Sequence, residues 1–289
     1  MANGILIIDK PQDWTSHDVV AKLRGILKEK RIGHAGTLDP MATGVLPVFV
    51  GRATRAVEFA AEREKEYQAV LRLGLVTDTQ DITGTTLGTA PVSVTPAQVQ
   101  AALEPFRGPI LQIPPMYSAI KREGKKLYEL ARQGQEVERQ PRPITIHELE
   151  LTGQLSPTDF TLRVLCSKGT YVRTLCHDIG QALGCGGAMA ALRRTRAAGF
   201  SLEQAVTLER AAAAEDPQAL LLPVEAYFSH YPALTLPGEW AEKKIRNGNP
   251  IVLGGADGTY RVYSGQKEFL ALGRLKDGCL TTIKSFFEV

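Results

Sequence analysis

The sequence predicts a mixed α and β fold followed by a small all-β unit, and three observations carry that reading. Alternating apolar and polar residues over 66–73 mark a half-buried strand. Apolar residues at helical spacing (Val19, Val20, Leu23, Ile26 and Leu27) mark an amphipathic helix. Near the end of the chain, Asp257-Gly258, Ser264-Gly265 and Asp277-Gly278 separate short apolar runs, the pattern of hairpin turns in a small β-barrel. A chain of 289 residues is long for one core, which favours one large unit and a small one.

Taken in order, residues 5–8 form an apolar run ending at Lys10-Pro11 and read as a buried strand. Thr15-Ser16-His17-Asp18 fits a helix start, with Thr15 as cap and Asp18 three residues on. Lys22, Arg24 and Lys28 fall largely away from that helix's apolar face. Residues 45–50 read as a strand, and in the next one Tyr67, Ala69, Leu71 and Leu73 form the more apolar side. A Gly/Asp/Thr-rich turn over 77–84 leads into 85–90. Thr95-Pro96-Ala97-Gln98 is a capping box with proline at the first helical position; the helix runs through Val99, Ala102, Leu103 and Phe106 and stops near Gly108. From 108 to 143, prolines, tyrosines and lysines surround a short helix expected at 126–133, and the stretch reads as an appendage on the core. Strands are expected at 144–151 and 161–166. Thr170 is expected to cap a helix whose Val172, Leu175, Ile179 and Leu183 share a face and which ends at Gly184. An alanine run at 211–214 lies inside a further helix. The composition changes near Ser229-His230-Tyr231-Pro232, beyond which come a short helix at 239–246, Asn247-Gly248 and the barrel strands.

Composition narrows the function classes. The hydrophobic fraction of 44% suffices for a globular core, and no apolar run approaches the roughly 20 residues of a membrane span. No basic stretch followed by a cleavable apolar segment opens the chain, so no secretory signal is expected. Cys166, Cys176, Cys185 and Cys279 form no C-x-x-C pair, which favours reduced thiols in the cytoplasm over a metal or disulfide framework. The net charge of +3 is too small to announce a polyanion partner. Local clusters say more: Lys22, Arg24, Lys28, Lys30 and Arg31; then Lys121, Arg122, Lys125 and Lys126; then Arg193, Arg194 and Arg196. Such clusters neutralise phosphates, or are ordinary solvated faces.

One stretch organises the rest, His34-Ala35-Gly36-Thr37-Leu38-Asp39-Pro40-Met41-Ala42-Thr43-Gly44-Val45-Leu46. Pro40 pushes Asp39 out of helical geometry. Gly36 and Gly44 permit tight turns or close approach, and Thr37 and Thr43 are expected to tie the loop to its own backbone. Asp39 is then a carboxylate on a rigid mount, as a reacting group needs. The plain alternative is an Asp-Pro turn facing water.

The run HAGTLDPMATGVLPVFVG closely resembles the catalytic loop of the TruB family, the transfer-RNA pseudouridine-55 synthases. Family-like stretches follow in order: Ile8-Asp9-Lys10-Pro11, Lys65-Glu66-Tyr67, Thr77-Asp78-Thr79-Gln80-Asp81, Pro114-Pro115-Met116-Tyr117-Ser118-Ala119, Gly124-Lys125-Lys126-Leu127-Tyr128 and Cys166-Ser167-Lys168-Gly169-Thr170-Tyr171-Val172-Arg173-Thr174-Leu175. The resemblance implies an α+β fold: a mixed, largely antiparallel sheet flanked by helices, with a small C-terminal PUA-like β-barrel. It implies a catalytic domain at 1–230 with a thumb-like RNA-binding insertion at 108–143, and an RNA-binding domain at 231–289. The implied partner is tRNA, gripped at its T stem-loop and at the acceptor stem through the C-terminal domain, with no membrane and no obligate protein partner.

The implied reaction moves the sugar bond of uridine from N1 to C5 of the same base. It requires neither redox cofactor nor nucleotide, and no cofactor or metal is expected; H-E-x-x-H, Walker and G-x-G-x-x-G patterns are absent from the sequence. By match to the motif, Asp39 is the catalytic carboxylate. Addition to the uracil ring, addition to the sugar carbon and removal of the C2′ proton are all open to it. Arg173 lies about three residues into its helix, where exposed amides already carry partial positive charge and a cation wants an anion beside it. The resemblance makes that anion Asp39, which the pair would keep ionised and oriented. It also implies that Tyr67 stacks on the uridine and serves as a late base, that Tyr171 contacts it, that Leu192 walls the pocket, and that His34 enters the RNA loop as the base leaves. Asp81 is implied to be polar and near the site. The target base must leave its stack before Asp39 can reach it, and recognition by RNA shape is expected. Three other readings stand beside this one: a guide-RNA-dependent relative inside a protein particle, an RNA-folding or RNA-binding module, and an N-glycoside hydrolase. The hydrolase generally wants a second carboxylate, which the loop lacks.

Overall fold

A computed structural model describes residues 2–122 and 124–287. Met1, Glu123, Glu288 and Val289, which fall within the expected units, lie outside the described residues. The chain opens with β1 (Gly4–Lys10), α1 (Ser16–Leu27), β2 (Ile32–His34) and β3 (Thr43–Val50). Helix α2 (Val57–Ala61) precedes β4 (Lys65–Leu73), the hairpin β5 (Leu75–Thr77) and β6 (Thr86–Thr89), then α3 (Pro96–Ala102) and β7 (Gly108–Gln112). A second hairpin, β8 (Lys121–Arg122) and β9 (Lys125–Lys126), leads into α4 (Leu127–Ala131). Next come β10 (Arg142–Gln154), β11 (Asp159–Cys166), α5 (Val172–Ala182), β12 (Gly187–Ala197) and β13 (Phe200–Ser201). Helices α6 (Leu208–Ala213) and α7 (Val224–Tyr227) precede β14 (Ala233–Thr235), α8 (Glu239–Arg246), β15 (Ile251–Val252), β16 (Gly258–Tyr263), β17 (Phe269–Lys276) and β18 (Cys279–Ser285).

The large sheet has the order β1-β3-β12-β4-β11-β10-β7, with β2 added beside β3 and β13 beside β12. Its pairs are antiparallel except β3 with β12, where Thr43 and Gly44 lie opposite Arg193 and Arg194. This is the mixed, largely antiparallel sheet that the resemblance implies. The C-terminal strands form a curled half-barrel of order β14-β16-β17-β18-β15 around Val262, Leu270, Leu275 and Leu280.

Burial explains the layering. Helix α1 is capped by Thr15 and Asp18 as expected, but such a box is worth only about 1 kcal/mol. Its Val19, Val20, Leu23 and Leu27 are all at most 5% exposed, and each contributes roughly 1.5–3 kcal/mol against β1 and β3. The apolar face therefore sets how the helix docks. Strands β1 and β3 are buried on both faces: Leu6, Ile8, Leu46 and Val48 meet α1, while Ile5, Ile7, Val45 and Phe49 meet a second cluster. That cluster holds Phe228 together with Phe269 and Leu272 of the C-terminal sheet and Phe286 just past its last strand. Helix α5 packs Leu175 and Ile179 against Leu71, Phe160 and Leu162 of the large sheet.

Several expectations need correction. Thr170 does not cap α5; its hydroxyl donates to the Ser167 carbonyl (3.0 Å), and the helix begins after Tyr171, whose amide donates to Gln112 Oε1 (2.8 Å). The stretch from 108 begins as a sheet strand, since β7 pairs with β10 from Gly108 to Gln112. The helix expected at 126–133 is the shorter α4, and the one over Thr95 to Phe106 ends its α-helical part at Ala102. Strand β12, central in the sheet, was not foreseen. Its two bulges break the alternation that would have revealed it.

Gly44 shows how tightly this centre is built. Its φ is +104°, and a Cβ there would lie 2.2 Å from the Arg194 carbonyl oxygen. Gly44→Ala should destabilise the protein by roughly 3 kcal/mol or more, combining backbone strain with a backbone clash. Urea unfolding checks it, and a midpoint equal to wild type would contradict the packing described.

Candidate active site

Asp39 sits in the loop between β2 and β3 and is fastened on both flanks. The Ser16 hydroxyl accepts from the Leu38 amide (2.9 Å) and donates to the Leu38 carbonyl (3.3 Å). The Lys10 ammonium, fully buried, donates to the carbonyls of Pro11 (2.8 Å), Trp14 (2.6 Å) and Pro40 (3.1 Å). Burial pulls the Lys10 pKa down to about 8. The loop is thus tied to other segments rather than by its own threonines; the Thr43 hydroxyl instead accepts from Arg193 Nη1 (3.3 Å).

Arg173, at the start of α5, meets Asp39 in a two-pronged pair: Nε to Oδ2 at 2.9 Å and Nη2 to Oδ1 at 3.3 Å. The arginine side chain is 6% exposed and the carboxylate 37%, so the cation is buried while the acid faces the opening. Arg173 also donates to the carbonyls of Thr79 (3.1 Å) and Tyr117 (2.9 Å). Asp81 Oδ2 lies 3.8 Å from Nε, and its other oxygen accepts from the Thr79 hydroxyl and from the amide and hydroxyl of Thr83. A planar fork satisfied on every side is the geometry in which a buried guanidinium is tolerable.

The pair lies in a cleft of ≈ 520 Å³ that Tyr67, Tyr171 and Leu192 also line. Tyr67 on β4 is 7% exposed, and burial raises its pKa. Tyr171 is half-buried, its backbone held on both sides by the Gln112 amide group, and burial raises its pKa too. Leu192 on β12 is 8% exposed. Tyr117 and Tyr128, from the segment between β7 and β10, complete the opposite wall. Five of the six sequence-derived residues therefore share one cavity. His34 does not line it: its ring packs edge-on against His17, which does (centroids 5.5 Å apart).

Two residues in or beside the cleft have roles that the sequence reading does not give. Lys10 stood in a family-like stretch without a role. Arg194 falls with Arg193 and Arg196 in a cluster expected to neutralise phosphates or to form a solvated face, yet it is fully buried and bonded to the carbonyls of Val45 (2.7 Å) and Gly36 (3.0 Å). The signal was Leu192-x-Arg194, two steps along one strand face, which puts Arg194 on the same side as Leu192. Arg193 leans outward to Asp9 (2.7 Å). Among the described residues, no group of three or more His, Cys, Asp or Glu side chains is placed to hold a metal ion, and no helix is long and apolar enough to cross a membrane.

A family model described as the N-terminal domain of TruB family pseudouridylate synthases matches residues 24–172, and one described as the tRNA pseudouridylate synthase B C-terminal domain matches 173–229. The chain belongs to the TruB family. A TruB relative from Aromatoleum aromaticum, named tRNA pseudouridine synthase B, is 46% identical over 94% of this chain and 89% of its own length. One of the same name from Heliobacterium modesticaldum is 51% identical over 81% and 77%. Among solved structures, a chain of a Cbf5-Nop10-Gar1 complex superposes with a TM-score of 0.73 at 27% identity, covering 99% of this chain and 85% of that one. A chain of an H/ACA ribonucleoprotein bound to a substrate RNA containing 2′-deoxyuridine gives 0.72 at 25% identity, with 99% and 86% covered. The TruB-type architecture is thus shared along essentially the whole length.

The His34 environment gives a pH prediction. Burial and the neighbouring His17 lower its pKa from 6.5 to about 4. The unfolded chain therefore takes up the proton first, and stability is lost as pH falls from about 6.5 towards 4, by on the order of 3 kcal/mol. Urea midpoints at pH 7 and pH 4.5 measure the loss. His34→Gln should shrink the difference between them, and an unchanged difference would contradict the assignment.

Proposed function

We propose that this TruB-family protein converts uridine-55 in the T loop of tRNA to pseudouridine, everting the base and working on naked tRNA without a guide. That it is an isomerase acting on tRNA follows from relatives of that name at 43–51% identity over most of the chain. The finer reading is carried by one observation: a forked Asp39–Arg173 pair inside a cleft walled by four tyrosines and a leucine.

In this reading Asp39 drives cleavage of the C1′–N1 bond, and Arg173 holds the carboxylate at the required angle. The ring re-attaches through C5, Tyr67 removes the C5 proton, and N1 gains one. Tyr67 and Tyr171 replace the stacking lost on eversion, a cost of a few kcal/mol, and Leu192 helps keep water from the reactive sugar. His34, one layer behind His17, would enter the RNA loop only if the loop drew it forward.

The domains are assigned in the same terms. Residues 1–230 carry the chemistry, and the insertion at 108–143, with exposed Lys121, Arg122 and Lys125, closes on the T stem-loop. Residues 231–289 reach along the acceptor stem; α8 there presents Lys243, Lys244 and Arg246 beside the exposed Trp240. The solved neighbours belong to protein assemblies, which keeps a guide-dependent mode as the competing reading.

The test is tritium release from tRNA labelled at uridine C5, with purified protein alone. Wild type should release tritium, and a T-loop mutant RNA should not. Asp39→Asn should bind tRNA normally with no detectable release. Free uracil as product would indicate hydrolysis instead, and a requirement for added protein or RNA would favour the guide-dependent reading. Arg173→Lys, which keeps the charge but loses the fork, should slow release by about 100-fold.

A further inference from the structure

Arg194 occupies the place where the strand leaving the Asp39 loop and the strand carrying Tyr67 come together. Its Cα pairs with Gly44 of β3 on one side and with Tyr67 of β4 on the other. Gly44 has no side chain to obstruct it, and the guanidinium is buried completely. Nε and Nη2 are bonded to the carbonyls of Val45 and Gly36, which stand on either side of Asp39 in the chain. Nη1 is buried in the wall of the active-site cleft without a well-aligned hydrogen bond, and the Tyr67 phenol is the side chain that interacts with the guanidinium there. A buried donor left poorly satisfied is costly. Beside a polar cleft, it marks a place where an acceptor arrives or turns.

We propose that Arg194 is a positioning residue for the isomerisation: its guanidinium clamps both ends of the Asp39 loop and presents Nη1 to the Tyr67 phenolic oxygen, holding acid and phenol in register through one cation. This rests on the reading of Asp39 and Tyr67 given above and assigns the group that orients them. A lysine cannot replace it, because one ammonium cannot span two carbonyls and a phenol as a planar fork does.

The charge acts in a definite direction. Burial raises the Tyr67 pKa, and Asp39 and Cys166 facing the phenol raise it further; Arg194 opposes all three by favouring the phenolate. The ionisable groups around Arg194 itself are Tyr67, Lys65, Lys10 and His34. In the last step the C5 proton passes to the phenolate oxygen, the C–H electron pair closes the ring double bond, and N1 takes a proton from water. Removing the cation makes the phenolate harder to form.

The experiment places 3,5-difluorotyrosine at position 67, which lowers the phenol's intrinsic pKa into a measurable range, and follows its titration by fluorine NMR. Wild type, Arg194→Lys and Arg194→Met are compared, and their unfluorinated counterparts are assayed for single-turnover tritium release and tRNA affinity. Arg194→Met should move the midpoint up by about one unit or more. It should slow release on the order of 100-fold with tRNA affinity unchanged. Arg194→Lys should keep the midpoint near wild type while losing roughly tenfold in rate. A midpoint unmoved in Arg194→Met, or wild-type release in that variant, would overturn the proposal. If Arg194→Met does not fold, Arg194→Lys decides: wild-type release overturns the proposal, and a tenfold loss supports it. No release from wild type would reject the proposed function instead.

Discussion

The structure depends on a guanidinium held almost entirely out of water. Arg173 enters at the first turn of α5, where the helix's own amides disfavour a cation by a few tenths to about 1 kcal/mol. What makes it tolerable is convergence: the Asp39 loop supplies two oxygens, the 77–84 turn and the 114–119 segment supply one carbonyl each, and Asp81 stands nearby. Removing one partner from such an arrangement typically costs about 3–5 kcal/mol, since the charge that remains is still buried. Four stretches far apart in sequence are therefore required to meet at one side chain. The site is less an ornament on the fold than one of its constraints.

The cleft carries more buried cations than this pair alone needs. Lys10, Lys65, Arg173 and Arg194 are all at most 9% exposed, and all four lie in or beside the cavity that holds Asp39. Burial pulls both lysines down to about 8. Lys65 keeps its ammonium bonded to the carbonyls of Ala61 (3.0 Å) and Arg63 (2.7 Å), so backbone oxygens rather than acids stabilise it. A pocket wired in this way favours electron density arriving from a substrate. Cleavage of a glycosidic bond delivers such density to the departing base.

Much of this could be read in the residues before any coordinates. Local signals were faithful wherever one element decides its own shape: the Thr15 and Thr95 capping boxes, and the alternation that puts Tyr67 inward, are as expected. Motif resemblance supplied Asp39, Tyr67, Tyr171, Arg173 and Leu192 as neighbours, which no periodicity would have joined when Asp39 and Arg173 are 134 positions apart. What escaped notice depends on distant partners. Arg194 looked solvated because adjacent arginines look solvated, and only pairing with Gly44 and Tyr67 turns it inward. Strand β12 was hidden by its bulges, β7 by its Gly108-Pro109 start, and the Thr170 cap was displaced by Gln112 acting from another strand.

The aromatic cluster between the large sheet and the C-terminal one has a consequence of its own. Phe228 meets Phe269 and Phe286, and the same seam is stitched by Arg55 to Ser285 and by Lys284 to Glu58. A joint of this kind does not act as a swivel. If both units face RNA as proposed, their surfaces would behave like the fixed jaws of a gauge, admitting a polynucleotide only when its own features lie the right distance apart. Selection by length asks nothing of base identity and would tolerate wide sequence variation along the gauged span.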